Sequence, residues 1–497
     1  MKILFIYPQY PETFWSFKHA LKFVSKKALM PPLGLLTIAS MVPEDWDKKL
    51  IDMNVSKLKD KDLLQADFVF ISAMITQKES AHEVINRCKN LGVKVVAGGP
   101  LFSGLFDQFP DVDHFVLDEG EVTLPMFLED LQNGTPQSIY RSEIKPDIKK
   151  TPIPQWDLLK LNNYHKMPIQ FSRGCPFDCE FCDIVKLNGK IPRSKKPLQI
   201  IKEINALIRQ GWNSSIFIVD DNFIGNKKST KELLKALIRW RKYTRRQIAF
   251  MTEVSVNLAD DVELLELMRD AGFDAVFIGL ETPSSESLQE CGKSQNSNRD
   301  IVSSVQKIHS YGMEVSAGFI VGFDSDDLSI FSRQIEFIQK TGVVIAMVGL
   351  LQALPGTRLY ERLKKENRLL TSSTGNNTDF SINFIPKIDT EALLQGYREI
   401  IANVYSPQQY YERIMTFLDT YKGYNVEKIT FKQIQALLKS MLVLGIFEKE
   451  RKYYWKLFFT SLFKYPRSFS KAISMTVYYA HFRQIFPELE MQECGNN

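Results

Sequence analysis

Three cysteines fall within eight residues in the run Arg173-Gly-Cys175-Pro-Phe-Asp-Cys179-Glu-Phe-Cys182. Thiolates are the protein ligands of iron–sulfur clusters. A Cys-x3-Cys-x2-Cys spacing offers three of them to a [4Fe–4S] cubane and leaves one iron open to an outside ligand. Structural zinc asks for four ligands, whereas here His165 lies ten residues before Cys175 and Cys291 more than a hundred after Cys182. Cys88, Cys291 and Cys494 stand apart, which argues for a metal site in a reducing compartment and against a secreted disulfide framework. The six histidines share no motif, and none is assigned a role.

A cluster loop of this kind needs strands to hold it. The apolar run PIQFS ends just before the cysteines and opens a series continued by SIFIVD, IAFMTEVS, AVFIGLE, EVSAGFIVGF and VVIAMVGL, with helical patterns over 198–209, 231–240, 262–270, 299–310, 328–339 and 358–367. Six such units over 166–370 predict a partial (βα)6 barrel whose working residues sit at the carboxyl ends of its strands. Ahead of it, KILFIYP, KKLIDMN, ADFVFISA, VKVVAGG and DHFVL alternate with helical segments over 1–135. That pattern predicts an α/β, doubly wound, Rossmann-like parallel sheet. In such sheets a ligand sits beyond the strand ends, here Asp52, Asn54, Ser72, Gly98, Gly99, Pro100, Glu119, Gly120 and Glu121. Glycines at these places let a backbone approach a large ligand closely; tight turns alone are the competing reading. Residues 136–165, rich in proline and charge, are expected to be a linker, and 371–497 to form a mostly helical C-terminal domain.

The cysteine run, with Phe181 before its last thiol and a βα barrel behind it, resembles the radical S-adenosylmethionine superfamily. The resemblance implies a [4Fe–4S] cluster held by Cys175, Cys179 and Cys182, with S-adenosylmethionine chelated to the open iron. Further matches follow at the strand ends. Asp220 and Asp221, in Ile218-Val-Asp220-Asp221-Asn222-Phe223, correspond to the acidic turn near the methionine ammonium. Glu281, in Gly279-Leu-Glu281-Thr-Pro283, corresponds to the polar residue near ribose. Gly318, Ile320 and Gly322 match the Gly-x-Ile-x-Gly pattern that borders adenine. The acidic residue that usually ends this pattern is displaced by one position, to Asp324.

A doubly wound domain with Ala97-Gly-Gly-Pro100 ahead of such a barrel resembles the cobalamin-binding branch of that superfamily. The stretches 7–17 and 31–36 look like the subgroup with a C-terminal helical domain that includes the hopanoid C-2 methylase and bacteriochlorophyll methylases. One departure matters: where other cobalamin domains carry Asp-x-His-x-x-Gly, this chain has Asp52-Met-Asn54-Val-Ser-Lys57, so base-off cobalamin without a histidine ligand is expected. The resemblance implies a methyltransferase that methylates an unactivated carbon of a lipid-like or polycyclic substrate through a 5′-deoxyadenosyl radical and methylcobalamin. Its electrons would come from a flavodoxin or ferredoxin. Ring or carbon–carbon bond formation without methyl transfer is the alternative with the same cofactors, and an iron–sulfur redox sensor is the non-enzymatic one. No catalytic side chain is named.

Composition bounds the rest. The chain has 497 residues, 44% hydrophobic and 24% charged, with a net charge of +5. This excludes large-scale disorder and is less basic than a nucleic-acid protein usually is, so no nucleic-acid partner is expected. The N-terminus reads as a buried strand, and the charge-free stretch 341–357 carries three glycines and a proline. No spanning helix is predicted; a cytoplasmic protein touching a membrane at most at its surface is expected. Residues 448–486 hold eight Lys or Arg against two Glu, interleaved with twelve aromatics. This segment reads as a helical subdomain packed on the barrel, with a membrane-surface patch or a pocket for an apolar substrate as the sharper alternatives.

Overall fold

Strand β1 (Lys2–Tyr7) alternates two apolar sets that the structure sends to opposite faces of one sheet. The computed structural model describes residues 1–376, 378–424 and 431–486. Its first sheet joins β1 to β2 (Asp47–Asp52), β3 (Phe68–Ser72), β4 (Lys94–Gly98), β5 (His114–Val116) and β6 (Ile139–Tyr140) in the order β2-β1-β3-β4-β5-β6, all parallel. Side chains two apart share a face. Leu4, Ile6, Val69 and Ile71 therefore meet the helix Lys78–Asn90, while Ile3, Phe5, Phe68 and Phe70 meet the helices Leu33–Ala39 and Gly120–Gln132. The order reverses direction between β1 and β3, which opens a crevice at their carboxyl ends.

The second sheet contains β7 (Met167–Ile169). A two-stranded hairpin of β8 (Ser172–Arg173) and β9 (Arg193–Ser194) follows β7 and brackets the cysteines. The sheet continues with β10 (Ile216–Ile218), β11 (Phe250–Glu253), β12 (Phe273–Glu281), β13 (Glu314–Val321) and β14 (Ala346–Leu350), all parallel, in the order β14-β13-β12-β11-β10-β7. Val276, Ile278 and Leu280 of β12 are buried toward the outer helices, while Phe277 and Gly279 face the interior. Local signals set the helices: Val262–Ala271 begins where the Asp261 side chain accepts from the Leu264 N–H and ends at Gly272, with φ +97°.

Six strands leave the barrel open between β14 and β7. The turn Phe14–Ser16 and the residues Tyr397 and Tyr405 cover the edge at β14. Odd-numbered residues of β14 bond to β13, so the carbonyls of Ala346 and Val348 point away from the sheet. They accept from the Tyr405 and Tyr397 hydroxyls at 2.6 and 3.1 Å, which covers the strand edge. The turn Phe14–Ser16 inserts beside them. Phe14 stacks on Phe482 with centroids 4.6 Å apart, and Trp15 meets Phe277 edge-on at 5.1 Å with its Nε1 2.9 Å from Met347 Sδ. Phe14 belongs to the buried cluster formed by the barrel and the C-terminal helices. Truncating it to Ala removes about 3–5 kcal/mol.

All eleven strand candidates are found, together with β6 and the hairpin. The connecting stretch 136–165 is built into the fold: β6 extends the first sheet, and Trp156 and Tyr164 are buried in the barrel cluster. After the barrel come the helices Thr390–Val404, Pro407–Thr420, Phe431–Leu442, Arg451–Lys464 and Phe469–Ile485. No helix among the described residues is long and apolar enough to cross a membrane.

Candidate functional site

The cysteine loop is tied down from below by carboxylates. Asp220 accepts from the Phe171 N–H (2.7 Å), the Ser172 N–H (2.8 Å) and the Ser172 hydroxyl (2.6 Å). Asp221 accepts from the Gly174 N–H at 2.7 Å and from the Asn188 amide. Burial pushes the Asp220 carboxyl up to about 7, and the backbone donors hold it where it is. Both residues were expected to face the methionine ammonium; the structure commits both carboxylates to the strand and turn that lead into Cys175. The next residue points at the site. Asn222 Nδ2 lies 3.8 Å from Cys175 Sγ and 3.2 Å from Ser255 Oγ, and its buried Oδ1 has no partner among the described residues.

The loop after β12 closes over the thiols from the other side. Gln295 Nε2 lies 3.8 Å from Cys179 Sγ, the Cys291 carbonyl accepts from the Glu180 N–H, and Asn296 braces the carbonyls of Gly279 and Leu280. The side-chain oxygens of Gln295 and Asn296 are buried without a partner among the described residues. Glu281, at φ +64°, pairs with Lys293 at 2.6 Å. A Cβ on Gly279 would sit 2.3 Å from Glu281 Oε1, so a side chain there would push that pair aside. Burial opposes charge on Lys293, but Glu281 and the thiols of Cys179 and Cys182 hold its pKa above the usual lysine range. Its ammonium lies 5.9 Å from the centre of the Phe181 ring, which packs against Phe323. Glu253, at the end of β11, accepts from the Phe223 N–H through its backbone carbonyl, while its carboxylate makes no hydrogen bond or ion pair among the described residues. Burial, then the charges of Asp221 and Asp220, raise its carboxyl to about 8.

Gly318 and Ile320 line the inner face of β13. A Cβ on Gly318 would come within 3.2 Å of the Phe277 ring, while Gly322 turns the chain at φ +104°. Asp324 pairs with Arg362 at 2.7 Å and Arg368 at 2.6 Å, and Arg362 also holds Glu180 of the cysteine loop. Arg362, on the helix Arg358–Lys365, thus ties the cysteine loop to Asp324.

At the first sheet the side chains are engaged with one another. Asp52 accepts from the backbone and amide N–H of Asn54 and from the Tyr164 hydroxyl at 3.0 Å; the Asn54 amide also reaches the Pro8 carbonyl and the Tyr10 N–H. Glu119 and Glu121, expected at a ligand, instead clamp the barrel. Arg173 bridges them at 2.7 Å each, Arg193 holds Glu119 at 2.7 Å, and Thr151 donates to Glu121. Burial works against charge on Glu121, yet Arg173 holds its carboxyl below the usual range. Small residues remain at the crevice. Ser72 is half-buried, and a Cβ on Gly98 or Gly99 would strike the Val116 carbonyl or Ser72 Oγ. Gly99, at φ +89°, starts the helix Pro100–Leu105, and a Cβ on Gly120 would strike Ile38.

These features fit the expected groups. Three thiols, with orphaned buried oxygens of Asn222, Gln295 and Asn296 around them, suit a cluster and a polar ligand. No three His, Cys, Asp or Glu side chains among the described residues close on one ion position, and thiolates that each bind a different iron need not converge. For the second group, the strand ends β3 and β4 carry nothing longer than serine ahead of Pro100. Sequence reasoning missed Asn222, Glu253, Lys293, Gln295 and Asn296. Glu253 had a signal, a carboxylate ending a barrel strand; the three loop residues had none.

The B12 binding domain matches residues 23–128, the radical SAM superfamily residues 169–338, and a domain of unknown function (DUF4070) residues 357–493. An uncharacterized methyltransferase of Synechocystis sp. is 42% identical over all of this chain and 94% of its own length. The hopanoid C-2 methylase of Rhodopseudomonas palustris is 34% identical over 83% of this chain and 78% of its own. Among solved structures, the cobalamin-dependent S-adenosylmethionine radical enzyme OxsB, with aqua-cobalamin and S-adenosylmethionine bound, shares the fold over 99% of this chain and 80% of its own, with TM-score 0.64 and 17% identity. The chain therefore belongs to the cobalamin-binding radical S-adenosylmethionine methyltransferases, the group of the hopanoid C-2 methylase, with a [4Fe–4S] cluster, S-adenosylmethionine and cobalamin as its cofactors.

Proposed function

We propose that this methyltransferase acts on an unactivated carbon of an apolar, lipid-like or polycyclic small molecule. The observation that carries the reading is the contrast inside the barrel. The upper rim holds orphaned polar oxygens and Glu253, while Trp15, Phe217, Phe277 and Met347 line the interior, half-buried. The similarity to an enzyme named for a hopanoid supports the same substrate class.

When bound, the cofactors supply reductive cleavage of S-adenosylmethionine and a transferable methyl group. Cys175, Cys179 and Cys182 hold the cluster. Asn222, Gln295 and Asn296 offer amide groups to the methionine and ribose, joined by Glu281 and its Lys293 partner. Phe181, Gly318, Ile320 and Gly322 border the adenine side. Asp220 and Asp221 position the loop and touch no ligand. Ser72, Gly98, Gly99, Pro100 and Gly120 border cobalamin through backbone and small side chains, and Asp52 and Asn54 stiffen the floor beneath it. Trp15 closes the lateral gap and excludes water from the interior. A flavodoxin- or ferredoxin-like donor supplies electrons, and the protein works in the cytoplasm against a membrane surface.

Profiling apolar extracts of a strain with and without the protein, fed methyl-labelled methionine, tests the substrate class. A labelled apolar compound that disappears with the protein is expected. A change confined to polar metabolites overturns the assignment, and a lost ring without lost label points to bond formation without methyl transfer.

A further inference from the structure

The C-terminal helices present an apolar ridge that the catalytic reading does not use. On the helix Phe431–Leu442, Leu438 and Leu442 stand four residues apart and are 54% and 53% exposed, so they form one stripe. The stripe continues through Ile446 and Phe447 in the π-helical turn Val443–Phe447. The Trp455 indole N–H donates to the Gly445 carbonyl at 2.8 Å and so lays the helix Arg451–Lys464 alongside. Phe459 stacks on Trp455, and Phe463 follows one turn on; Phe447 and Phe463 are each 78% exposed. Contiguous exposed apolar surface of this kind marks an interaction site.

The charges beside the ridge indicate the partner. Glu448 and Glu450, the acids between the two helices, are both paired to Arg483. Lys449, Lys452 and Lys456 are exposed and make no ion pair among the described residues. A cationic rim around aromatic and aliphatic side chains matches anionic headgroups above acyl chains. We infer that this face docks the enzyme on an anionic lipid bilayer, with the ridge in the acyl boundary and the lysines among the headgroups. The inference deepens the membrane contact proposed above by naming its surface, and it stands apart from the chemistry because binding is read without turnover.

Flotation of the reconstituted full chain with vesicles tests it. Binding to phosphatidylcholine vesicles containing phosphatidylglycerol, and not to phosphatidylcholine alone, is expected. A double variant, Phe447→Glu with Phe463→Glu, is expected to weaken binding more than about tenfold while keeping iron content and helicity, since both rings face solvent. A triple variant, Lys449→Gln, Lys452→Gln and Lys456→Gln, gives an arm that spares the ridge and is expected to lose the preference for anionic lipid. Equal binding by either variant, no flotation of the wild type, or a wild-type dimer that the double variant converts to monomer each overturns the assignment, the last by giving the face to a second copy.

Discussion

The two cofactor edges are built differently. Around the cysteine loop, among the described residues, Asn222, Gln295 and Asn296 keep buried oxygens without partners, and the Glu253 carboxylate stands without an ion pair. At the carboxyl edge of the first sheet the polar groups satisfy one another: Asp52 with Asn54 and Tyr164, Glu119 and Glu121 with Arg173 and Arg193. An unpaired buried oxygen costs about 1–3 kcal/mol, a cost that a ligand making those bonds removes. The barrel end is thus poised for a ligand read by hydrogen bonds. The sheet edge offers shape, with its carboxylates used to lock the two domains together.

Substitutions can break this contrast. The largest effect is expected from replacing Cys175, Cys179 and Cys182 with Ala together: iron and sulfide content fall to background and 5′-deoxyadenosine formation on reduction disappears, while cobalamin binding persists. Next, Arg173→Met leaves Glu119 and Glu121 buried with fewer partners and is expected to cost about 3–5 kcal/mol, read as a lowered denaturation midpoint. Because the Glu121 carboxyl is held below its usual range, its stabilising contribution is present above the unfolded value of about 4.3 and is lost as pH falls through the lower folded value. The wild-type advantage over Arg173→Met should therefore shrink in acid.

Glu253 behaves in the opposite sense. Its folded carboxyl, raised to about 8, keeps a proton that the unfolded chain releases near 4.3, so ligand-free stability falls as pH rises from about 4 to 8 and then levels off. Glu253→Gln is expected to flatten that slope and to weaken S-adenosylmethionine binding by about tenfold; an unchanged slope by thermal denaturation would remove Glu253 from the site. The smallest effect is expected at the sheet edge, where Asn54→Ala costs about 1–2 kcal/mol of stability and leaves the cobalamin spectrum unchanged.

The same contrast explains what could be read from the chain. Strands such as Lys2–Tyr7 and Phe273–Glu281 carry their burial in their own periodicity, and the cysteine spacing is local, so both were legible. Asp220, Asp221, Glu119 and Glu121 were legible as acidic residues at strand ends, but their hydrogen-bond partners lie 30 to 74 residues away. Nothing local distinguishes a carboxylate that meets a ligand from one that meets a backbone N–H or an arginine. Gln295 reaches the Cys179 thiol, and Lys293 and Asn296 reach Glu281 and the end of β12, only because the chain after Glu281 folds back, and Trp15 reaches Met347 across 332 positions. Such contacts arise from tertiary closure and leave no periodic trace.

The most direct test supplies the anaerobically reconstituted chain with cobalamin, trideuteromethyl S-adenosylmethionine, a strong reductant and an apolar extract of its host. The account predicts 5′-deoxyadenosine together with an apolar product that carries the trideuteromethyl group, and loss of that product when cobalamin is withheld. Label entering the product without cobalamin, or 5′-deoxyadenosine accompanied only by unlabelled product, would contradict it.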